Sequence, residues 1–463
     1  MRAPSSPIPL LAVILLGCQP NTSGNGDEIG HEADSGSSDG SSEDSGSSGE
    51  SASETTDNGS DSTGDSTSST DESSESTDTT DTTTGPGADV GAEAWLPGLP
   101  QGLVGGADLL TLPALPSGPP IWVSNNPERF TGEGWLVLHS RTDPQRGGTA
   151  HPLAGSFPAY LFHLNGAGGT KWLHLIASNP SPQPISVGLS GSLYSNGEYP
   201  LTGPGTGPSY HVSRETLEGT PALVKAPVMI NPNQAAVLLS KSIGANQMVD
   251  GRFEVTASDG AYLYAVVTNS SSANPAINAT QGGPATGDIL MGGPNAYGRE
   301  AGVYEHSEFL ADFSVELPAD VGHLGFCFNT AGKFAWQGTT LQEQTAGALA
   351  VLDDSAERTW GNYGHHLRVE LEIINPGDQS RTLTVVLGSL FTAAMDQPSF
   401  TWSAPMRVGP LGSEQIVDVW TTPTMPVDEL GSWMIDPGST VVTVEVFVPG
   451  LITAGQQLQL WVN

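Results

Sequence analysis

The chain has 463 residues and a formal net charge of −35, from 50 Asp and Glu against 15 Lys and Arg. Nucleic-acid binding and docking of a basic patch on anionic lipid both need clustered cations, so this composition excludes them. The chain holds only two cysteines, which also excludes a fold stapled by disulfide bonds.

The N-terminus has the parts of an exported lipoprotein signal. Arg2 supplies positive charge, Ile8–Leu16 form an apolar run too short to span a membrane, and the run ends at Gly17-Cys18. Leu15-Leu16-Gly17-Cys18 resembles the lipobox of bacterial lipoproteins, and Gln19 rather than Asp follows the Cys. We therefore expect a signal peptide over residues 1–17, lipidation of Cys18 and anchoring to the outer membrane, on its periplasmic or cell-surface face. The alternative is an ordinary signal peptide with a chance cysteine.

A long acidic segment follows the anchor. Residues 20 to about 90 are almost wholly Ser, Thr, Gly, Asp, Glu and Asn, with no aromatic residue. Such a segment cannot bury enough apolar surface to offset the entropy of ordering it, so we predict a disordered tether over residues 18–92. A flexible tether of this length spans roughly 45–50 Å, which holds the rest of the chain clear of the membrane.

From Trp95 onward, short runs rich in Val, Leu, Thr and Tyr alternate with Gly, Pro and Asn. This pattern predicts an all-β fold built of antiparallel strands. The predicted strands are Gly134–His139, Trp172–Ala177, Ile185–Leu193, Ala235–Leu239, Arg252–Thr256, Ala261–Val267, His366–Ile374, Thr382–Leu390, Gln415–Trp420, Val441–Val448 and Gln457–Val462. In His366–Ile374, apolar and charged residues alternate, which predicts one buried and one wet face. Residues 340–352 are the best candidate for a short helix.

An internal repeat indicates two related domains. Asn179-Pro180 and Asn375-Pro376 each follow a predicted strand and precede another that ends in Gly-Ser-Leu. Two further correspondences come in the same order, Ala226–Ile230 with Ala404–Val408 and Ala261–Val267 with Val441–Val448. We therefore predict two tandem Ig-like β-sandwich domains, over residues 93–287 and 288–463. The alternative is that hairpins in any Gly/Pro-rich β protein look alike.

The order of motifs resembles a family of exported bacterial proteins known only as a domain of unknown function. The landmarks are Val123-Ser124-Asn125-Asn126-Pro127-Glu128, the Asn179-Pro180 hairpin, Tyr297-Gly298-Arg299-Glu300-Ala301-Gly302-Val303 and Gly361-Asn362-Tyr363-Gly364. The resemblance implies a β-rich exported protein and supplies no activity, ligand or catalytic residue.

Catalytic and metal patterns in the sequence are weak. His163, His174, His365 and His366 show no His-x-His or His-Glu-x-x-His spacing, and adjacent histidines on a strand point to opposite faces. Cys327 lies between two phenylalanines and is expected to be a buried structural thiol. We predict no catalytic residue, no metal centre and no cofactor. A structural calcium ion remains an option, although Asp250-Gly251 and Asp259-Gly260 are interpreted first as turns.

Aromatic residues in Gly- and Asn-rich segments suggest a ligand-stacking surface. The candidates are Trp336, Trp360, Tyr363 and Tyr297, with Tyr304 nearby. Rings on loops often bind sugars, whereas the alternative is that they cap the sandwich cores. We therefore expect a non-enzymatic envelope protein that binds polysaccharide or an envelope partner. The alternative is a polysaccharide hydrolase using two carboxylates among Glu300, Glu305, Glu308, Glu370 and Glu372.

Overall fold

The structure is a computed structural model that describes residues 89–138, 151–197, 203–290, 298–390, 402–450 and 455–463. Strands dominate these ranges, as the sequence alternation predicts. The helices are α1 (Pro208–Glu218) and α2 (Ala273–Ala279), with short 3-10 turns at Ala92–Ala94 and Gly106–Asp108.

Strands follow one another along most of the described chain. Before residue 290 they are Leu96–Pro97 (β1), Leu115–Ser117 (β2), Ile121–Ser124 (β3), Arg129–Phe130 (β4), Gly134–Leu138 (β5), Leu153–Asn165 (β6), Lys171–Ser178 (β7), Ile185–Asn196 (β8), Leu223–Ile230 (β9), Ala235–Ile243 (β10), Met248–Thr268 (β11) and Gly287–Asp288 (β12). After it they are Ala301–Tyr304 (β13), Glu308–Glu316 (β14), Gly322–Phe328 (β15), Ala335–Trp336 (β16), Thr339–Thr340 (β17), Ala348–Val351 (β18), His366–Asn375 (β19), Arg381–Ser389 (β20), Trp402–Pro410 (β21), Gln415–Thr421 (β22), Val427–Ile435 (β23), Gly438–Phe447 (β24) and Gln456–Val462 (β25).

The first hydrophobic core is enclosed by a strongly bent twelve-stranded sheet whose long strand is β11. The first half of β11 pairs with β6 and β8, and its second half pairs with β5 and β7. The pairing with β6 shifts register between Ala257 and Ala261, so one strand contributes to both sides of the core. Phe253 and Leu263 from the two halves are both fully buried in it.

The second core lies between a five-stranded sheet (β1-β15-β25-β20-β23) and a six-stranded sheet (β2-β14-β19-β24-β21-β22). Apolar residues alternate inward along β19 and β24, while Arg368, Glu370 and Glu372 lie on the wet face of β19. This is the packing of a β-sandwich and confirms the predicted alternation in His366–Ile374.

Strands are exchanged across the predicted boundary at residue 287. β13 and β18 join the first sheet beside β3, whereas β1 and β2, near the start of the described chain, pair with β15 and β14. The fold is all-β and sandwich-like. Because strands are exchanged across residue 287, the division into two tandem Ig-like domains remains a prediction.

Most predicted strands agree with observed ones to within a few residues, except that Arg252–Thr256 and Ala261–Val267 are parts of the single strand β11. The helix prediction is wrong. Within residues 340–352, Ala348–Val351 form β18 and Gly347 bridges to Arg358. Pairing with β13 decides this conformation, which single-sequence periodicity does not reveal. The helix that does form is α1, with Pro208 in its first turn and Gly219 in a left-handed C-cap (φ 67°), a start-and-stop pattern that sequence reasoning missed.

The two Asn-Pro turns make equivalent contacts, which supports the internal repeat. They are not the hairpins that the sequence predicts, because β7 does not pair with β8 and β19 does not pair with β20. In each, the Asn Nδ2 donates to the carbonyl four residues on and to the last carbonyl of a neighbouring strand. The acceptors are Gln183 and Ile230 for Asn179, and Gln379 and Ile435 for Asn375, at 2.7–2.9 Å. Asn165 forms the same pattern with Gly169 and Ile243, a third copy that sequence reasoning did not find.

One of the predicted repeat correspondences is wrong. Ala226–Ile230 lie in β9, which pairs with β8, whereas Ala404–Val408 lie in β21, which pairs with β22 and β24. By its contacts, β23 is the counterpart of β9. The third correspondence is confirmed, because β7 pairs with the end of β11 as β19 pairs with β24.

Candidate functional site

The candidate site is a cleft whose floor is one face of β11. Side chains alternate along a strand, so Phe253 and Val255 enter the first core while Asp250, Arg252 and Glu254 share the other face. Exposure rises along this face, since Asp250 is fully buried, Arg252 partly buried and Glu254 exposed. The floor therefore carries a carboxyl group, a guanidinium and a second carboxyl group, in order from the buried end of the cleft to its exposed end.

Helix α1 forms the opposite wall and connects the two cores. It packs on β8 and β11 of the first core and on β21 and β24 of the second. The Ser213 hydroxyl donates to the Phe447 carbonyl at 2.6 Å. Arg214 pairs with Asp418 at 3.0 Å, and Tyr210 donates to the same carboxylate. The helix position is thus fixed from both sides.

A cavity of about 150 Å³ opens beside the C-terminal half of α1, and we call it the outer cavity. Its polar lining comes from three elements: Ser190 and Ser192 of β8, Glu215 and Thr216 of α1, and Arg252 and Glu254 of β11. Glu215 accepts hydrogen bonds from the hydroxyls of Ser192 and Tyr194, and Glu254 accepts one from Ser156. A cavity of this volume accommodates about one six-membered ring.

Arg252 lies between the outer cavity and a smaller pocket deeper in the cleft. Its Nε donates to the Gly364 carbonyl at 2.9 Å, and its guanidinium carbon lies 4.2 Å from the centroid of the Phe447 ring. Burial lowers the pKa of Arg252 to about 10, against the opposing effect of Glu254 and Glu308, so the group stays charged at neutral pH. The hydrogen bond and the cation–π contact hold the guanidinium in one place.

A charged cluster supports Phe447 from the second core. His366 stacks on the Phe447 ring with centroids 4.4 Å apart, and its Nε2 lies 2.7 Å from Glu445. Glu445 also pairs with Arg407. Burial disfavours the charged form of His366, but its contacts with Glu308 and Glu445 outweigh burial and raise its pKa. The surroundings of Arg252 are therefore fixed by both cores.

The smaller pocket, which we call the inner pocket, contains the fully buried Asp250. Tyr160 donates to Asp250 Oδ2 at 2.5 Å, and Ser209 of α1 lines the same space. The Ser209 hydroxyl and the Gly450 amide are close enough to lower the pKa of Asp250, yet Oδ1 makes no well-directed hydrogen bond among the described residues. Burial dominates and raises the pKa of Asp250 to about 7. The pocket has room for about one water molecule.

Gly364 joins the inner pocket to the segments that carry the family resemblance. Its φ is +77°, and a Cβ there would lie 2.5 Å from the Cβ and Cγ of Tyr160. Only glycine fits both the left-handed backbone and this close approach. The end of Gly361-Asn362-Tyr363-Gly364 is thereby placed against Tyr160 while its carbonyl holds Arg252.

The three landmarks other than Asn179-Pro180 converge on Glu300, which is 2% exposed. The Asn125 side chain and the Gly361 amide each donate to its carboxylate at 3.4 Å, and the neighbouring Arg299 pairs with Glu128 at 2.8 Å. Burial raises the pKa of Glu300 to about 7, more than these hydrogen bonds lower it. The landmarks therefore form one buried polar network behind the cleft and do not line the outer cavity.

The predicted stacking residues are not brought together as an open surface. Trp360 is 4% exposed within a small apolar cluster, and Lys333 Nζ lies 5.3 Å from its ring centroid. Trp336 packs against the same cluster, and its Nε1 donates to the Val104 carbonyl at 3.0 Å. Tyr363 is partly buried beside the second core, and Tyr304 is fully buried. A stacking role for these rings stays a prediction.

The other candidate histidines are held by neighbouring uncharged polar groups, and His365 Nε2 lies 3.0 Å from the His306 carbonyl oxygen. His163 Nδ1 donates to the Pro127 carbonyl at 2.8 Å, which leaves Nε2 to accept from the Ser124 hydroxyl at 2.8 Å. Both side chains are fully buried, and burial lowers the pKa of His163 to about 4. This Ser–His pair has the polarity of a catalytic pair but no access to a substrate. His174 is enclosed between Ser240 and Thr268.

The other candidates are placed as follows. Cys327 is buried and free, as predicted, and burial raises its pKa. Glu370 pairs with Arg368, and Glu372 accepts from Ser439 at 2.6 Å, on the wet face of β19. Asp250 is not a turn residue, since it lies within β11, where the pairing continues on both sides. Within the described ranges, no group of three or more His, Cys, Asp or Glu side chains is arranged to hold a metal ion.

Sequence reasoning missed the residues that line the outer cavity. The alternation Asp250-x-Arg252-x-Glu254, with apolar residues between, was a usable signal for one charged strand face. Glu215 gave no such signal, because the helix that carries it was not predicted. The predicted signal peptide, Cys18, the predicted tether up to residue 88 and Tyr297 lie outside the described residues. The last residues of the predicted tether belong to the fold, because Val90 bridges to Val315. No helix in the described part of the chain has the length and apolar character to cross a membrane.

Three solved structures overlap this chain at low similarity. The CUB1-EGF-CUB2 domains of rat MASP-1 are 8% identical over 72% of this chain and 98% of that one, with a TM-score of 0.15. The tandem CBM51 modules of a family 98 glycoside hydrolase from Streptococcus pneumoniae are 8% identical over 71% and 96%, with a TM-score of 0.16. A Paenibacillus xanthan lyase is 12% identical over 76% of this chain but only 26% of its own, with a TM-score of 0.14. These TM-scores are too low to assign a fold.

No curated protein matches the sequence. A family model described as protein of unknown function (DUF3370) matches residues 117–407, well over half of the chain. The match spans the resemblance landmarks, the floor of the cleft and helix α1. The chain therefore belongs to the DUF3370 family of proteins of unknown function.

Proposed function

We propose that this chain is a lipid-anchored protein of the outer membrane that binds a hydroxyl-rich polymer, a polysaccharide, without cleaving it. The lipobox-like segment ending at Cys18 and the long acidic segment after it support the anchor and the tether. Attachment by several acyl chains on one cysteine and a reach of roughly 45–50 Å suit a protein that meets an extended polymer.

The outer cavity carries the binding proposal. Its fixed guanidinium, its carboxylates and its serine hydroxyls provide donors and acceptors around a space that fits one sugar ring. A planar guanidinium can donate hydrogen bonds to adjacent sugar hydroxyls, and a carboxylate on the opposite side can accept hydrogen bonds from them. Small-molecule sites commonly combine a few convergent polar groups in this way. The single supporting observation is Arg252, held by Gly364 and Phe447 at the edge of this cavity.

The placement of the carboxyl groups favours binding over hydrolysis. A general acid for glycoside cleavage needs a carboxyl group whose pKa is raised towards neutrality. Among the described residues, Asp250 and Glu300 have this property, and both are sealed from the outer cavity by burial. Glu215 and Glu254, which do line the cavity, act in this proposal as hydrogen-bond acceptors.

Affinity electrophoresis of the detergent-solubilised full chain, in gels containing purified envelope polysaccharides, tests the proposal. Arg252→Ala is expected to weaken retention by one polysaccharide at least tenfold. Arg129→Ala is the control, because Arg129 is a partly exposed arginine that pairs with Asp288 outside the cavity. Equal retention of both variants would remove the cavity from the proposal, and release of soluble sugar over time would favour a hydrolase.

A further inference from the structure

The charges around the outer cavity are unbalanced. Glu215 and Glu254 contribute two negative charges, and Arg252 contributes one positive charge. Glu308 approaches Arg252 from the second core and adds to the negative field on it. The cavity therefore has a net negative charge, within a chain whose residues after 90 carry a formal charge of −18, from 32 acidic against 14 basic residues.

This field selects among sugars. An acidic polymer with one carboxylate or sulfate per residue would be repelled, both at long range and inside the cavity. A neutral sugar would meet no repulsion, but it would leave the excess negative charge uncompensated. A ligand that brings a positive charge gains attraction, and its ammonium forms charge-assisted hydrogen bonds with carboxylates.

The hydrogen-bonding capacity of the cavity also favours a ligand with a positive charge. An ionised carboxylate offers about four acceptor positions and no donor. Glu215 receives two hydroxyl donors and Glu254 one, so each retains acceptor capacity towards the cavity. An ammonium group has three donors and no acceptor, which matches that capacity, while Arg252 can donate to a neighbouring hydroxyl of the same sugar.

We propose that the outer cavity recognises an amino sugar with a free amine, a hexosamine unit without its N-acetyl group, through Glu215, Glu254 and Arg252. This inference rests on the proposed function and names the ligand class of the same site. N-acetylation removes the charge and adds bulk, so it is expected to abolish the preference.

Isothermal titration of the detergent-solubilised full chain with three short oligosaccharides tests this ligand class. The ligands are a tetramer of glucosamine, its fully N-acetylated form and a tetramer of galacturonate. The glucosamine tetramer is expected to bind at least tenfold more tightly than either of the others. Equal or tighter binding of the acetylated or acidic tetramer would overturn the ligand class and leave polysaccharide binding intact. Failure of every polysaccharide to retain the chain in gels would instead count against the proposed function itself.

A matched pair of variants separates the cavity from general attraction of a cation by an acidic protein. Glu254→Gln and Glu429→Gln each remove one negative charge from an exposed strand residue whose carboxylate accepts a serine hydroxyl, Ser156 or Ser432. Glu254→Gln is expected to reduce the preference for the amine five- to tenfold, and Glu429→Gln to leave it unchanged. Equal effects of the two changes would assign the preference to the overall charge and overturn the proposal.

Discussion

Two pairs of carboxyl groups in and behind the cleft differ chiefly in their access to water. Glu215 and Glu254 line the open outer cavity and accept hydroxyl donors, whereas Asp250 and Glu300 are enclosed by protein. Burial raises the pKa of both enclosed groups to about 7. The difference shows that one strand face, carrying Asp250, Arg252 and Glu254, passes from a buried to a solvent-accessible environment within four residues.

The largest expected effect is a pH dependence of stability that originates in the enclosed pair. The folded state keeps a proton on Asp250 up to about pH 7, while the unfolded chain releases it near pH 4. The contribution of Asp250 to the unfolding free energy is therefore most favourable below pH 4, and it falls as the pH rises from about 4 to 7. Burial raises the pKa of Asp250 by about 3, and one pKa unit is worth about 1.4 kcal/mol. The unfolding free energy is therefore expected to fall by on the order of 4 kcal/mol across this pH range.

Asp250→Asn is expected to flatten this fall, and urea unfolding between pH 4 and 8 measures it. Glu300 adds a contribution of the same sign, so part of the slope should remain in the single variant. Asp259→Asn is the control, since the Gly260 amide lowers the pKa of exposed Asp259 and moves its titration out of this window. An unchanged slope in Asp250→Asn would mean that Asp250 is not enclosed as described.

The second effect tests how the inner pocket is sealed. Gly364→Ala places a methyl group 2.5 Å from the Tyr160 side chain on a backbone with φ +77°. Backbone strain and overpacking together are expected to cost about 3 kcal/mol of unfolding free energy. Gly412→Ala, at φ +84° with open space around the new methyl group, should cost about 1 kcal/mol. Similar losses in the two variants would contradict the close approach to Tyr160.

Sequence reasoning predicted the features that neighbouring residues determine, and it missed those that depend on contacts between distant segments. Alternation along His366–Ile374 and the turns at Asn179 and Asn375 are local, and both were predicted correctly, although the strands that flank each turn do not pair as a hairpin. The lining of the outer cavity comes from β8, α1 and β11, which are distant in sequence and meet only after the sheets have formed. Pairing with β13 likewise decided the structure of residues 348–351, against a helical prediction.

A smaller effect is expected from the hydrogen bond inside the inner pocket. Tyr160→Phe removes the hydroxyl that donates to Asp250, at a cost of about 1.5 kcal/mol. Because this bond lowers the pKa of Asp250, its loss should raise that pKa further and shift the pH-dependent fall in stability upwards. Tyr264→Phe, which removes a contact with the Ser178 hydroxyl, should reduce stability without moving the pH profile. A shift in both variants would assign the effect to general loosening.

The smallest effect concerns the open pair. Glu254 is exposed, and its hydrogen bond to Ser156 competes with water, so Glu254→Gln should change the unfolding free energy by less than about 0.5 kcal/mol. Urea unfolding at pH 7 measures this against Asp250→Asn, which removes the buried charge and is expected to be the more stable of the two at that pH. A large loss in Glu254→Gln would mean that this carboxylate supports the fold and is not free to serve a ligand. A negligible loss, together with weaker binding of an amine-bearing sugar, would separate binding from stability on one strand face.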